Sequence, residues 1–236
     1  MTKTTQKIVY LAAISILLLL YSCTNRSQKP EGYTITGYIS GLEGKEPRIY
    51  LDRSTFFKDD GEKSALIKNG KFEIKGVSHA PELRYLSIPG CQGYLPIFLD
   101  NAEYTIKGDS ANFMLTEVKG GAVQDEYLPY DLFLKKYEPL LQKLRGDYKL
   151  TTNKDSLAEI GRKYKMISEE AGAIESKVFR NNPKSYLATY LAYEEFKNAE
   201  IEELDSVIKF FDPSVMNSPY LNTLKERIET LKGIAV

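Results

Sequence analysis

Hydrophobic and polar residues alternate along much of the first half of the chain, from Tyr33 to about Val118. This period of two predicts β-strands, because successive side chains of a strand point to opposite faces. The strongest local signal is Asn69-Gly70 between two alternating runs, which predicts a hairpin with a type I′ turn. Further strands are predicted at residues 33–36, 48–52, 83–88, 97–99, 104–107 and 113–116. About six to eight short strands predict a small antiparallel sandwich or barrel over residues 33–118.

After Gly120-Gly121 the hydrophobic spacing becomes that of helices. Two apolar stripes with alternating spacings of three and four residues predict two long antiparallel helices, joined by a short connector at residues 150–153. Pro139 is predicted to kink the first helix. The stripes consist of Tyr130, Leu134, Tyr137, Leu141, Leu144 and Tyr148, and then of Leu157, Ile160, Tyr164, Ile167, Ala171, Ile174 and Val178.

Three shorter helices follow in the pattern. They are predicted at residues 184–197, at residues 201–211 and after Ser218-Pro219, a favourable N-cap and first-turn pair. We interpret the aromatic stripes as core, and the acidic pairs Glu169-Glu170, Glu194-Glu195 and Glu202-Glu203 as solvated helix faces. The expected fold class is therefore α+β, with the β domain followed by an all-helical region of antiparallel helices over residues 119–236.

The N-terminus has the pattern of a secretory signal. Lys3 and Lys7 give a basic start, residues 8–20 are apolar, and small Ser22 precedes Cys23. As a helix, residues 8–21 would cover about 21 Å at 1.5 Å per residue. The hydrocarbon core of a bilayer is about 30 Å thick, so a spanning helix is disfavoured. An uncleaved signal anchor is the alternative interpretation.

Leu20, Ser22 and Cys23 together resemble the bacterial lipobox. The resemblance implies cleavage between Ser22 and Cys23 and lipidation of Cys23, and several acyl chains would hold the protein firmly at a membrane. Residues 1–22 are then the signal peptide, and residues 23–32 are the lipidated cysteine with a flexible polar tether. Arg26 and Lys29 stand where some surface-displayed lipoproteins carry acidic residues. We therefore expect a cell-envelope protein facing the periplasm, with the outer membrane favoured over the inner.

The charge of the chain argues against a nucleic-acid partner. The full sequence has 32 basic and 32 acidic residues, and removal of Lys3 and Lys7 with the signal leaves 30 against 32, a net charge of about −2. No block of basic residues is present, whereas binding to phosphates needs clustered lysine and arginine.

The sequence contains no self-sufficient catalytic, metal or cofactor motif, so no catalytic residue, metal or cofactor is predicted. Cys91 would be the free thiol of the mature chain, and its expected role is structural. His79 is the one histidine, so a serine or cysteine hydrolase would have to use it as the base. A Cys91–His79 pair stays open at this point, because such pairs meet in space rather than in sequence.

Several short motifs in a fixed order resemble a known family. They are Asn69-Gly70-Lys71-Phe72-Glu73-Ile74-Lys75-Gly76, Ile97-Phe98-Leu99, Tyr104-Thr105-Ile106-Lys107-Gly108-Asp109, Asn182-Pro183-Lys184-Ser185-Tyr186-Leu187 and Ser218-Pro219-Tyr220. With the preceding lipobox, this order resembles the domain of unknown function 4369 (DUF4369) family. That family forms the N-terminal region of bacterial lipoproteins similar to the thiol-disulfide oxidoreductases TlpA and ResA.

The resemblance also implies what this chain lacks. In many relatives a thioredoxin-like domain with a Cys-x-x-Cys pair follows the last helix, and this sequence ends at Val236, about where that domain would begin. The redox residues of the family have no matching positions here, so the activity is not expected to carry over.

Three functional hypotheses follow. The leading one is a non-catalytic, lipid-anchored periplasmic module that docks or positions a partner, for which a thioredoxin-like protein is the candidate. The alternative is a cell-envelope lipoprotein that binds a small ligand or a glycan through aromatic residues of the β domain. The third is a hydrolase that uses His79 and Cys91.

Overall fold

The computed structural model describes residues 31–58 and 61–234, all within one compact unit. The predicted signal peptide, its cleavage site at Ser22 and the lipidation site at Cys23 lie outside the described residues. Among the helices in the described ranges, none has the length and apolar character needed to cross a membrane.

Eight strands form two four-stranded sheets. The strands are β1 Tyr33–Ser40, β2 Arg48–Leu51, β3 Lys63–Leu66, β4 Lys71–Gly76, β5 Glu82–Ser87, β6 Leu95–Leu99, β7 Glu103–Asp109 and β8 Glu117–Lys119. Sheet 1 has the order β4-β1-β7-β8 and sheet 2 the order β3-β2-β5-β6. Inward-facing side chains of both sheets, such as Ile35, Ile97 and Ile106, share one apolar core. The predicted α+β class is confirmed, and the sandwich rather than the barrel is the observed form.

One strand pair departs from the antiparallel expectation. β1 and β7 run parallel, with Thr34 opposite Glu103 and Ser40 opposite Asp109, while the other strand pairs are antiparallel. The whole of sheet 2 separates these two strands in the sequence, so no tight turn forces them to run in opposite directions.

The Asn69-Gly70 turn is confirmed, but the hairpin around it is short. Asn69 and Gly70 have φ of 49° and 78°, as a type I′ turn requires. Lys68 and Lys71 exchange both backbone hydrogen bonds, at 2.8 and 2.9 Å. Beyond this pair the strands separate, because β3 pairs with β2 in sheet 2 and β4 pairs with β1 in sheet 1. The turn is therefore a corner where the chain changes sheets.

The predicted strand at residues 113–116 is wrong. Ser110–Leu115 instead forms a 3₁₀ helix, and β8 begins only at Glu117. The carboxylate of Asp109 accepts a hydrogen bond from the backbone N–H of Ala111 at 2.8 Å, which starts the turn. Phe113 is fully buried in the shared core, so its apolar character reflects packing rather than strand periodicity.

Five α-helices follow the sandwich. They are α1 Ala122–Leu150, α2 Lys154–Asn181, α3 Tyr186–Phe196, α4 Ile201–Phe210 and α5 Pro219–Ile234. α1 and α2 form the predicted antiparallel hairpin, with Phe133 and Leu144 of α1 in one apolar cluster with Ile160 and Ile167 of α2. α1 is one continuous helix that includes Pro139.

A buried glutamine forms hydrogen bonds that join α1 to one edge strand of each sheet. Gln124 has no exposed surface, and its side-chain oxygen accepts a hydrogen bond from the backbone N–H of Phe98 in β6 at 2.7 Å. Its side-chain nitrogen donates to the carbonyl of Val118 in β8 at 3.4 Å. β6 and β8 are edge strands, so one amide satisfies backbone groups that an open edge would leave unpaired.

A layer of aromatic rings, the aromatic layer, packs between the outer face of sheet 2 and the helices. The ring of Phe98 points away from the shared core and lies 5.9, 6.0 and 6.4 Å from the rings of Tyr127, Tyr190 and Tyr220. The hydroxyl of Tyr220 accepts a hydrogen bond from the backbone N–H of Leu83 in β5 at 2.8 Å. Because α1, α3 and α5 all contribute rings, sheet 2 is covered by helices on this side.

We expect Gln124→Met to lower the free energy of unfolding by about 1–3 kcal/mol, because it leaves the buried N–H of Phe98 without an acceptor. Urea denaturation followed by circular dichroism measures this change. Gln142→Met on the exposed face of the same helix is the matched control, with an expected effect below about 0.5 kcal/mol. Equal stability of the two variants would contradict the role of Gln124.

Candidate functional site

Cys91 lies in the turn after β5, where its backbone N–H donates to the carbonyl of Ile88 at 3.0 Å. The side chain is partly buried and packs against the shared core. Burial raises the pKa of the Cys91 thiol, and the carboxylate of Asp109 raises it further, against a smaller lowering by Lys45. Nucleophilic cysteines need a lowered pKa, so this environment disfavours a reactive thiolate.

His79 lies at the opposite end of β5 from Cys91. It precedes the strand, is exposed, and its ring centroid is 5.0 Å from that of Phe57. β5 spans Glu82–Ser87, so at about 3.3 Å per residue the two ends of the strand are about 17 Å apart, with His79 before one end and Cys91 after the other. A nucleophile and its base must come within hydrogen-bond reach, so the structure does not form the Cys91–His79 dyad.

Within residues 31–58 and 61–234 no cluster of three or more metal-ligating side chains occurs. A candidate binding site is instead a concave region between α2 and α3, to which α1 adds one side chain. We call it the tyrosine cleft. Its volume is about 450 Å³, within the usual range for small-ligand sites. It is lined by Tyr130, Gly172, Glu175, Ser176, Tyr190, Leu191, Glu194 and Glu195.

Local helix geometry explains how these side chains come together. Tyr190 and Glu194 are one turn apart on α3 and therefore lie on the same face. Gly172 and Glu175 are three residues apart on α2, where the absence of a side chain at Gly172 leaves space. The Tyr130 hydroxyl of α1 donates to a carboxylate oxygen of Glu175 at 2.5 Å, which ties α1 to α2 beside the cleft.

The phenols of the cleft are held in the neutral form. Burial is the largest cause that raises the pKa of Tyr130 and of Tyr190, and the carboxylates of Glu175 and Glu194 raise both values further. Both tyrosines can therefore donate or accept hydrogen bonds at physiological pH. The lining includes three carboxylates and no lysine or arginine, and one of the carboxylates, Glu194, pairs with Lys197 beside the cleft at 2.7 Å.

The aromatic layer supports the cleft from behind. The ring of Tyr190 lies 5.3 Å from that of Tyr220, and Tyr127 lies 6.1 Å from Tyr130. Because these rings also contact Phe98 of β6, the wall of the cleft is part of the junction between sheet and helices. Rings that are already packed against one another lose little side-chain conformational entropy when a ligand binds beside them.

Sequence reasoning missed this site. Tyr130 was expected only to fill the core, and Glu194-Glu195 only to face solvent. The pattern did contain one signal, Tyr190 and Glu194 at a spacing of four on a helix that is apolar on several faces. The contribution of Glu175 could not be seen, because it depends on how α2 lies against α3.

The architecture defines the chain as an α+β protein in which a two-sheet sandwich is followed by helices. Residues 33–127 match the model of the family described as Domain of unknown function (DUF4369). The match covers 95 of the 236 residues and supports the DUF4369 resemblance that the sequence motifs predicted. The match begins at the first residue of β1 and ends within α1. Comparisons with curated proteins and with solved structures gave no match.

We expect Cys91 to be alkylated by iodoacetamide at pH 7.5 more slowly than a small model thiol. A raised pKa lowers the thiolate fraction, and the rate should continue to rise with pH above the ordinary thiol pKa of about 8.5. Mass spectrometry of the Cys91 peptide measures the rate, and the protein unfolded in urea is the control with an exposed thiol. A folded protein that reacts faster than its unfolded form would contradict the assignment.

Proposed function

We propose that this protein is a non-catalytic, lipid-anchored module of the bacterial cell envelope that docks or positions a partner. The observation that carries the proposal is the tyrosine cleft, a concave site of about 450 Å³ in which the ring of Tyr190 packs against that of Tyr220. The distance between Cys91 and His79 argues against a hydrolase, and the raised pKa of Cys91 argues against redox chemistry at that thiol.

The partner we favour is a thioredoxin-like protein that faces the periplasm. The motif order of the sequence resembles lipoproteins in which such a domain follows the helices, and the matched DUF4369 segment supports the first part of that resemblance. In this proposal the partner supplies the Cys-x-x-Cys chemistry and the module holds it near the membrane.

A second candidate function is the binding of a small ligand. The volume of about 450 Å³ favours it, since it suits a small molecule as well as one side chain of a partner. The location differs from the sequence expectation, because the rings come mainly from the helices rather than from the β domain.

The anchor is tested by metabolic labelling with an alkyne analogue of palmitate. We expect Cys23→Ala to abolish labelling and Cys91→Ala to retain it, because the lipobox resemblance places the acyl chains on Cys23. Both substitutions remove one thiol, so the second is a matched control. Labelling that persists in Cys23→Ala would reject the lipid anchor.

Docking at the cleft is tested by filling it. A Cβ added at Gly172 meets no atom within 4 Å, and the same is true of Gly146 on α1, which lies outside the lining of the cleft. We expect Gly172→Trp to weaken binding of a purified thioredoxin-like protein encoded in the same genome by at least tenfold. Gly146→Trp should leave the affinity unchanged.

Biolayer interferometry with the detergent-solubilised lipoprotein measures both affinities. Unaltered binding in Gly172→Trp would remove the cleft from the docking surface. Absence of binding to any thioredoxin-like protein of that genome would reject the favoured partner and leave the small-ligand function as the candidate.

A further inference from the structure

The tyrosine cleft presents both kinds of group that attract an organic cation. The faces of tyrosine rings carry partial negative charge, and a cation within about 6 Å of a ring centroid is attracted to it. Glu175, Glu194 and Glu195 add carboxylates to the same lining. An anionic ligand would meet repulsion from these groups, whereas a cation would be stabilised by both kinds of group.

Two tyrosine hydroxyls at or directly behind the cleft can accept a hydrogen bond. Tyr127 is 2% exposed, yet within the described part of the chain its hydroxyl makes no hydrogen bond, and the same holds for Tyr190. Tyr127 is not part of the lining, but its ring lies 6.1 Å from that of Tyr130, directly behind the cleft. A phenol oxygen can accept as well as donate, so an N–H donor entering the cleft could donate a hydrogen bond to the hydroxyl of Tyr190.

The protein already contains one intramolecular example of this recognition. The Lys197 ammonium group lies 2.7 Å from a carboxylate oxygen of Glu194 and 5.5 Å from the ring centroid of Tyr193. The other oxygen of Glu194 is not used in that pair. Glu175 likewise accepts from Tyr130 through one oxygen only, so each carboxylate keeps an oxygen for an incoming donor.

We propose that the tyrosine cleft binds an alkylammonium group, carried by a lysine side chain of a partner or by a free diamine. The inference rests on the proposed function, in which the cleft is the contact site. The ammonium group would lie against the rings of Tyr130 and Tyr190 and between the carboxylates of Glu175 and Glu194, with its alkyl chain along Leu191.

The test is an NMR titration of ¹⁵N-labelled protein. One sample contains residues 31–236, and a full-length sample is titrated in parallel. The probes are N-acetyl-lysine methylamide for a peptide lysine, cadaverine for a free diamine, and N-acetyl-norleucine methylamide as the neutral control. We expect both amines to shift the amide signals of Gly172 and Leu191, and the neutral compound to bind at least tenfold more weakly. The double variant Glu175→Gln and Glu194→Gln should weaken binding of both amines at least tenfold. Glu203→Gln, at an exposed position of α4, should leave binding unchanged.

Each outcome decides one point. Stronger binding of the lysine compound than of cadaverine identifies a partner side chain as the source, and the reverse identifies a free amine. If the charged and neutral compounds bind equally well, and Gly172→Trp abolishes binding of both, the cleft is a binding site without a preference for cations. That result would overturn the inference. Absence of any shift at Gly172 and Leu191, together with unaltered partner binding in Gly172→Trp, would reject both the inference and the cleft as the contact site.

Discussion

The position of the helices depends on one buried amide. Gln124 accepts from the backbone N–H of Phe98 in β6 and donates to the backbone carbonyl of Val118 in β8, so one side chain bonds α1 to an edge strand of each sheet. Lys135, three turns further along α1, donates to the carbonyl of Thr116 at 2.5 Å and fixes the helix at a second point. With α1 held in this way, Tyr127 and Tyr130 are directed toward the outer face of sheet 2, and the geometry of the cleft follows.

The aromatic layer stabilises the fold and shapes the site at the same time. Phe98 contributes a purely apolar ring, whereas the tyrosines around it need partners for their hydroxyls. Tyr220 meets that need with the backbone of Leu83, and Tyr130 meets it with Glu175. Tyr190 lines the cleft as well as packing against Tyr220, so one ring serves both the aromatic layer and the site.

Much of the fold could be predicted from periodicity, because periodicity reports which faces are buried. The alternation after Tyr33, the Asn69-Gly70 turn and the two long helical stripes all correspond to observed elements. The parallel pairing of β1 with β7 could not be predicted, since it is set by long-range packing rather than by a turn. The 3₁₀ helix around Phe113 was missed because a buried ring gives the same apolar signal in a strand and in a turn.

The site was harder to predict than the fold, for a physical reason. Tyr130, Glu175 and Tyr190 come from three helices, and each alone has an ordinary role as a core or surface residue. Their combination depends on crossing angles and on the empty position at Gly172, which no local pattern encodes. The same limit applied to Cys91 and His79, whose separation became clear only when β5 was placed between them.

The two hydrogen bonds of Gln124 also bear on where the family segment ends. The segment that matches the DUF4369 family ends at residue 127, three positions after the glutamine, and so includes the first turn of α1. The matched segment therefore includes the side chain that bonds to the edge strands β6 and β8. A sandwich that ended before Gln124 would lose the acceptor for the N–H of Phe98 and the donor to the carbonyl of Val118.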